Sequence, residues 1–184
     1  MKYAKSFTNI YFNIYQSLCK DYKKKTGKQL KAHKEYEPEY LYNMYVRYVD
    51  EKDLVNQISK MLSNLILIQS LPNANHRTAF FFMVTYAQKP GMRLKVYEED
   101  TRNYDHFIKI SKTIIDTDIS HENFFNEKYI DAHHNIGIQK HLVCTRSLVE
   151  KILIKPQSGM RTVESFQSFI ARLNHKGSLP SSKP

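Results

Sequence analysis

Leu71-Pro72-Asn73-Ala74-Asn75-His76-Arg77-Thr78-Ala79 runs straight into Phe80-Phe81-Phe82-Met83-Val84-Thr85-Tyr86, so a short polar loop passes at once into an almost wholly apolar segment. Thr78 to Lys89 has no polar face for most of its length, which predicts a helix enclosed by others, the most buried of the fold, with Phe81 and Val84 inside. Pro90-Gly91 ends it. The start of such a helix leaves backbone N–H groups without partners and carries the positive end of the helix dipole, so an anion is stabilised there. Arg77 adds a fixed cation beside it.

Upstream, Asp50-Glu51-Lys52-Asp53 reads as a helix start with Asp50 as the cap. The helix is expected from Asp53 to Gln69, with Leu54, Val55, Ile58, Met61, Leu62, Leu65 and Ile66 on its inner face. Pro72 stops it, and Asn75 or a residue just before it caps the next helix. Downstream, Met92 to Tyr97 alternates like a short extended segment. Thr101 or Asn103 then caps a helix with Tyr104, Phe107, Ile108, Ile110, Ile114 and Ile115 inward.

Toward the N-terminus, Phe7, Ile10, Tyr11, Ile14, Tyr15 and Leu18 recur at helical spacing, predicting a helix from Lys5 to Lys24 closed by Gly27. Lys28 to Tyr40, interrupted by Pro38, reads as a long loop or short hairpin. Beyond Thr117 a helix around Phe124, Phe125, Tyr129 and Ile130 is expected, then a break at Gly137 and a helix from Leu142 to Ile154. Pro156 to Gly159 forms a linker to a short helix over Val163 to Leu173, and the residues after His175 look unanchored. The expected architecture is all-α, with a helical domain over residues 1–155 (core about 41–116) and a C-terminal helix and basic tail over 156–184.

The composition agrees: 184 residues suffice for one core, with 5 Gly, 6 Pro and no Trp against 13 Tyr and 10 Phe. Few turns and long periodic segments favour helices. No apolar run has signal-peptide or membrane-spanning form. Cys19 and Cys144 stand far apart without a C-x-x-C neighbour, which fits a cytoplasmic setting with no membrane contact. The net charge of +10 favours polyanions: nucleic acid, nucleotides or an acidic protein. Much of it lies in Lys20, Lys23, Lys24, Lys25, Lys28, Lys31 and Lys34, and in the C-terminal Lys151, Lys155, Arg161, Arg172, Lys176 and Lys183.

Ala74-Asn75-His76-Arg77-Thr78-Ala79 resembles the motif of the Fic and death-on-curing (Doc) proteins, roughly H-P-F-x-D-G/A-N-G/K-R-T. The nearest form is the death-on-curing A-N-K-R-T-A. Leu71 falls on the apolar anchor of that motif, and the order of helix, loop, buried helix, turn and amphipathic helix follows the family. The resemblance implies a helical bundle around a central buried helix, and a short β-flap, here placed at Tyr36 to Tyr45. It implies enzymes that move AMP or a phosphate group from a nucleotide such as ATP to a protein hydroxyl, with Mg2+ on the phosphates.

The first half of the motif departs from the family. Gln69 stands where the resemblance places the basic His, Ser70 where it places Pro, and Asn73 where it places the acidic metal ligand. Gln69 can hydrogen-bond a hydroxyl but cannot take its proton. Asn73 offers a hard cation one neutral oxygen, a weak, degenerate metal ligand. Phosphates would rest on Ala74, Asn75, His76 and Arg77. His76, at the family's second loop position, is either a surface residue, a donor to phosphate or an improvised catalytic base.

Three functions follow. One is a Fic/Doc-like nucleotide- or phosphate-binding protein that is a weak or inactive transferase. The second is an active protein adenylyltransferase or phosphotransferase toxin of the toxin–antitoxin kind. The third is a basic helical nucleic-acid-binding module. A protein substrate or an inhibitory partner is expected with the first two, and the family's inhibitory S/T-x-x-x-E-G/N pattern is not found in this chain. His121, Glu122, Asp131, His133, His134 and His141 have metal-ligand residue types but no H-E-x-x-H spacing, so they read as polar surface. Phe80-Phe81-Phe82 reads as core, not as a platform for bases.

Overall fold

A computed structural model describes residues 2–45, 53–88, 92–119 and 136–154. The fold is all-α, with six helices and one two-stranded antiparallel pair among the described residues. Helix α1, Lys2–Thr26, buries Phe7, Tyr11 and Ile14 along one stripe. Lys23, Lys24 and Lys25 occupy its last turn, where the dipole favours cations. Gly27 then takes φ 70°, and its N–H donates to Lys23 O at 2.8 Å, a left-handed helix stop that a side chain would strain.

The chain next crosses the 70–73 loop. His33 N–H donates to Pro72 O at 3.0 Å and Glu37 N–H to Ser70 O at 2.9 Å. Helix α2, Pro38–Tyr45, follows, so Pro38 opens a helix instead of interrupting a loop. At the first helical position its missing N–H costs nothing and its fixed φ is already helical. The β-flap expected at Tyr36 to Tyr45 is therefore corrected to helix from Pro38 onward.

Helix α3, Leu54–Leu67, starts at an extended Asp53 whose carboxylate accepts the Asn56 N–H at 2.9 Å. Asp53 thus caps it in place of the expected Asp50, which lies outside the described residues. Helix α4, Asn75–Ala87, lies beside it. α3 buries ten of its fourteen residues and α4 eight of its thirteen, so α3, not α4, is the more enclosed.

Phe81 is 51% exposed and Val84 is half-buried, against the expectation that both lie inside. The reason is geometric, since successive helical side chains point about 100° apart. Phe82 packs edge-on against Phe7 and Tyr11 of α1, with centroids at 5.4 and 5.9 Å. On the far side, Phe80 meets Tyr104 at 4.8 Å and Phe107 at 5.7 Å. Three consecutive Phe cannot all face neighbours, and Phe81 points between them. The all-α fold stands, but α4 is not an all-round central helix.

Strand β1, Arg93–Leu94, pairs with β2, Leu153–Ile154, in the register Arg93 to Ile154 and Leu94 to Leu153. A 3-10 turn at Tyr97–Glu99 leads into helix α5, Thr101–Asp118. Asp100 sits at its cap position and receives both Asn103 Nδ2 contacts at 2.9 Å, so neither Thr101 nor Asn103 is the cap. Helix α6, Ile136–Ile152, runs directly into β2.

Gly137 belongs to the first turn of α6 and is no break. A Cβ there would lie 2.6 Å from Asp118 O, so glycine lets α6 start hard against the end of α5, beside the Lys140–Asp118 ion pair at 3.0 Å. α6 packs on α3 and α5, α3 on α4, α4 on α1, and α1 on α2. The expected helix around Phe124 to Ile130, the linker, and the C-terminal helix and tail lie outside the described residues, as do His121, Glu122, Asp131, His133 and His134.

Candidate functional site

The loop between α3 and α4 is closed by one side chain. Gln69, two residues past the end of α3, takes φ 51°, and Leu71 after it is fully buried. The Asn75 amide turns back: Oδ1 accepts the Leu71 N–H at 3.0 Å, and Nδ2 donates to Leu71 O at 3.1 Å. Nδ2 also reaches Gln69 Oε1 at 3.5 Å. Asn75 therefore clamps the loop and does not cap α4. The cap position is held by Ala74 at φ 54° with no side-chain hydrogen bond, a conformation that costs a non-glycine residue about 1–2 kcal/mol. The first-turn N–H groups of Asn75, His76 and Arg77 keep no partner among the described residues.

Arg77 is exposed and makes no ion pair among the described residues. It lies close enough to Tyr97 to favour the phenolate. The Tyr97 hydroxyl nonetheless stays above its ordinary pKa, chiefly because it donates to Asp105 Oδ1 at 2.7 Å. Lys20, Lys23, Lys24, Lys25, Lys28, Lys31 and Lys34 are all exposed, and of these Lys34 pairs with Glu37. Because Asn73 Nδ2 donates to Lys31 O at 2.7 Å, the lysine-bearing segment lies against the loop. Two basic features far apart in sequence thus adjoin.

Asn73 Oδ1, Ser70 Oγ and Thr78 Oγ1 are buried without a hydrogen-bond partner among the described residues. A divalent cation needs several oxygen ligands, and among the described residues Asn73 supplies one neutral oxygen with no group of acidic ligands beside it, a set that does not fit Mg2+. Among the described residues no group of three or more His, Cys, Asp or Glu could hold a metal ion.

His76 is not a surface residue. Its Nε2 lies 2.8 Å from Ser111 Oγ on α5, and Ser111 Oγ lies 2.7 Å from His141 Nε2 on α6. His141 Nδ1 in turn meets Ser63 Oγ of α3 at 2.8 Å, with Thr145 Oγ1 at 3.4 Å. Ser111, His141 and Thr145 are fully buried and Ser63 nearly so. His141 is therefore core, which corrects its assignment to a polar surface. Phe107 packs T-shaped against both rings, with centroids 6.4 Å from His76 and 5.9 Å from His141.

Burial lowers the His76 pKa to about 4, helped by the charge of Lys112. It lowers that of His141 to about 3, helped by His76. Both imidazoles are neutral at pH 7. A ring tied inward at Nε2 and so weakly basic is a poor replacement for the missing general base. The Ser63–His141–Ser111–His76 chain escaped the sequence because its members stand on four helices, with no local spacing to betray them.

A family model described as a family of unknown function, DUF8172, matches residues 2–124, and the chain belongs to that family. The match spans α1 to α5 and stops before α6, so Ser63, His76 and Ser111 fall within it and His141 beyond it. No curated protein and no solved structure matches the chain. Among the described residues no helix is long and apolar enough to cross a membrane.

Proposed function

We propose that this protein is a Fic/Doc-like, cytoplasmic nucleotide- or phosphate-binding protein, a weak or inactive relative of enzymes that move AMP or phosphate to protein hydroxyls. The observation that carries the reading is the Asn75–Leu71 clamp, which leaves the first-turn N–H groups of α4, and Arg77 with no ion pair among the described residues, available to an anion. Phosphates would rest on the N–H groups of Ala74, Asn75 and His76 and on the Arg77 guanidinium. ATP is the natural probe. The half-exposed Phe81 counts against a close copy of the family's central helix, so the likeness is carried by the loop.

Transfer itself lacks its base. An attacking hydroxyl must lose its proton as its oxygen bonds to phosphorus and the leaving phosphate departs. The Gln69 carbonyl can accept a hydrogen bond from that hydroxyl but cannot keep the proton, and the inward Nε2 of His76 is already engaged by Ser111. General-base help is typically worth about 10²- to 10⁴-fold, so incubation with radiolabelled ATP should label protein targets barely. Gln69→His should raise labelling if the reading holds. In calorimetry, Arg77→Ala should weaken ATP binding at least about tenfold, since a charge-assisted contact is worth about 1.5–3 kcal/mol. Its thermal stability should change little, because Arg77 is exposed. Unchanged affinity would remove the loop from consideration.

The seven exposed lysines between residues 20 and 34, a stretch that meets the loop at the Lys31 carbonyl, favour a second reading, a basic module that binds nucleic acid. It predicts a steep fall of affinity with salt, whereas a single nucleotide pocket predicts a shallow one.

A further inference from the structure

The Ser63–His141–Ser111–His76 chain joins α3, α6, α5 and α4 at one point, where none of these helices can move without breaking a buried hydrogen bond. Its proton count is tightly limited. With both rings neutral, each offers one N–H and one acceptor nitrogen, and the run from Ser63 to His76 is satisfied when all its bonds point the same way, in either sense. One added proton finds a hydrogen-bonding arrangement, at His76 Nδ1, which makes no hydrogen bond among the described residues, or on His141 with the Ser111 hydroxyl turned toward His76, so what opposes it is burial of an uncompensated charge. A second proton puts both Nε2–H donors on the one Ser111 oxygen, with a cation on either side of it.

Among the described residues the surroundings offer those charges no compensating carboxylate bond. From α3 the only titratable side chain is the half-buried Lys60, and Ser63 is the residue that faces the rings. From α4 come His76 itself and the exposed Arg77. From α5 comes Lys112, whose charge opposes a proton on His76, while the residues one turn from Ser111 are Phe107, Ile108, Ile114 and Ile115. From α6, Thr145 and the half-buried Cys144 lie one turn beyond His141. No carboxylate among the described residues hydrogen-bonds either ring.

We propose that this chain is a proton-operated latch: two neutral imidazoles bridged by Ser111 lock α4 and α6 onto α3 and α5, and uptake of two protons opens the junction. This does not rest on the nucleotide reading. The sign follows from linkage: an unfolded histidine binds its proton near pH 6.5, whereas the folded pair refuses both down to about pH 4. Stability is complete above pH 6.5 and is lost as pH falls from there toward pH 4.

The test measures unfolding constants by denaturant between pH 6.5 and 4.5 for the wild type and for His76→Gln, a half-buried position that accepts the change more easily than His141. The pair should make the wild-type constant rise by about two powers of ten per pH unit beyond other groups, and the variant by about one. The ratio between them should therefore change about tenfold per unit. Proton exchange at pH 5 should open the first turns of α4 and α6 before α1. Ring resonances of His76 and His141 in the wild type, which need no variant, should not titrate above pH 5. A pH-independent ratio, ring titration near pH 6.5, or early opening of α1 instead would each overturn the latch.

Discussion

Asn75 uses both ends of its amide on Leu71, holding the loop in a shape its sequence alone did not announce. Asn75→Ala leaves a buried N–H and a buried C=O unpaired, so a loss of about 1–3 kcal/mol is expected from the denaturation midpoint. The sequence offered Asn75 or a residue just before it as the cap of α4, and the cap position is Ala74, while Asn75 clamps the loop, because Asn serves in either place and only three-dimensional closure separates the two. Gly137 was misread for a similar reason. Its use is close approach to Asp118 O, a fact about a residue elsewhere on the chain. Gly137→Ala should therefore destabilise by about 1–3 kcal/mol, as a crowded contact does, where a mere helix glycine would gain stability from the same change. Unaltered or raised thermal stability would refute the close contact.

At the scale of elements, periodicity was informative wherever a helix had one partner face. α1, α3 and α5 were legible from their stripes, and their inner residues Phe7, Tyr11, Ile58, Leu62, Tyr104 and Phe107 are buried. α4 was legible as a helix but not in its orientation, since an all-apolar segment carries no phase. α2 was missed because Pro38 was read as an interruption, although a first-position proline is a start. The orientation of α4 can be tested by two truncations. Phe82→Ala, between Phe7 and Tyr11, should cost about 3–5 kcal/mol, while Phe81→Ala should cost under about 1 kcal/mol. Equal losses would show that α4 is rotated.

For the whole molecule, the placement of charge follows from the path of the chain. The segment after α1 returns across the 70–73 loop, so its lysines and the start of α4 share one region although they lie dozens of positions apart. Net charge was readable from composition, whereas this adjacency depends on the tertiary path. The central claim is that an anion is held at the start of α4. It is tested most directly by titrating ATP into isotope-labelled protein and following backbone amide resonances at moderate salt. On that claim, the amides of Ala74, Asn75, His76 and Arg77 should shift first and saturably, and Arg77→Ala should move the midpoint of the response to at least about tenfold higher ATP. Shifts confined to Lys20 through Lys34 that vanish with added salt, or no shift at the loop at saturating ATP, would contradict it.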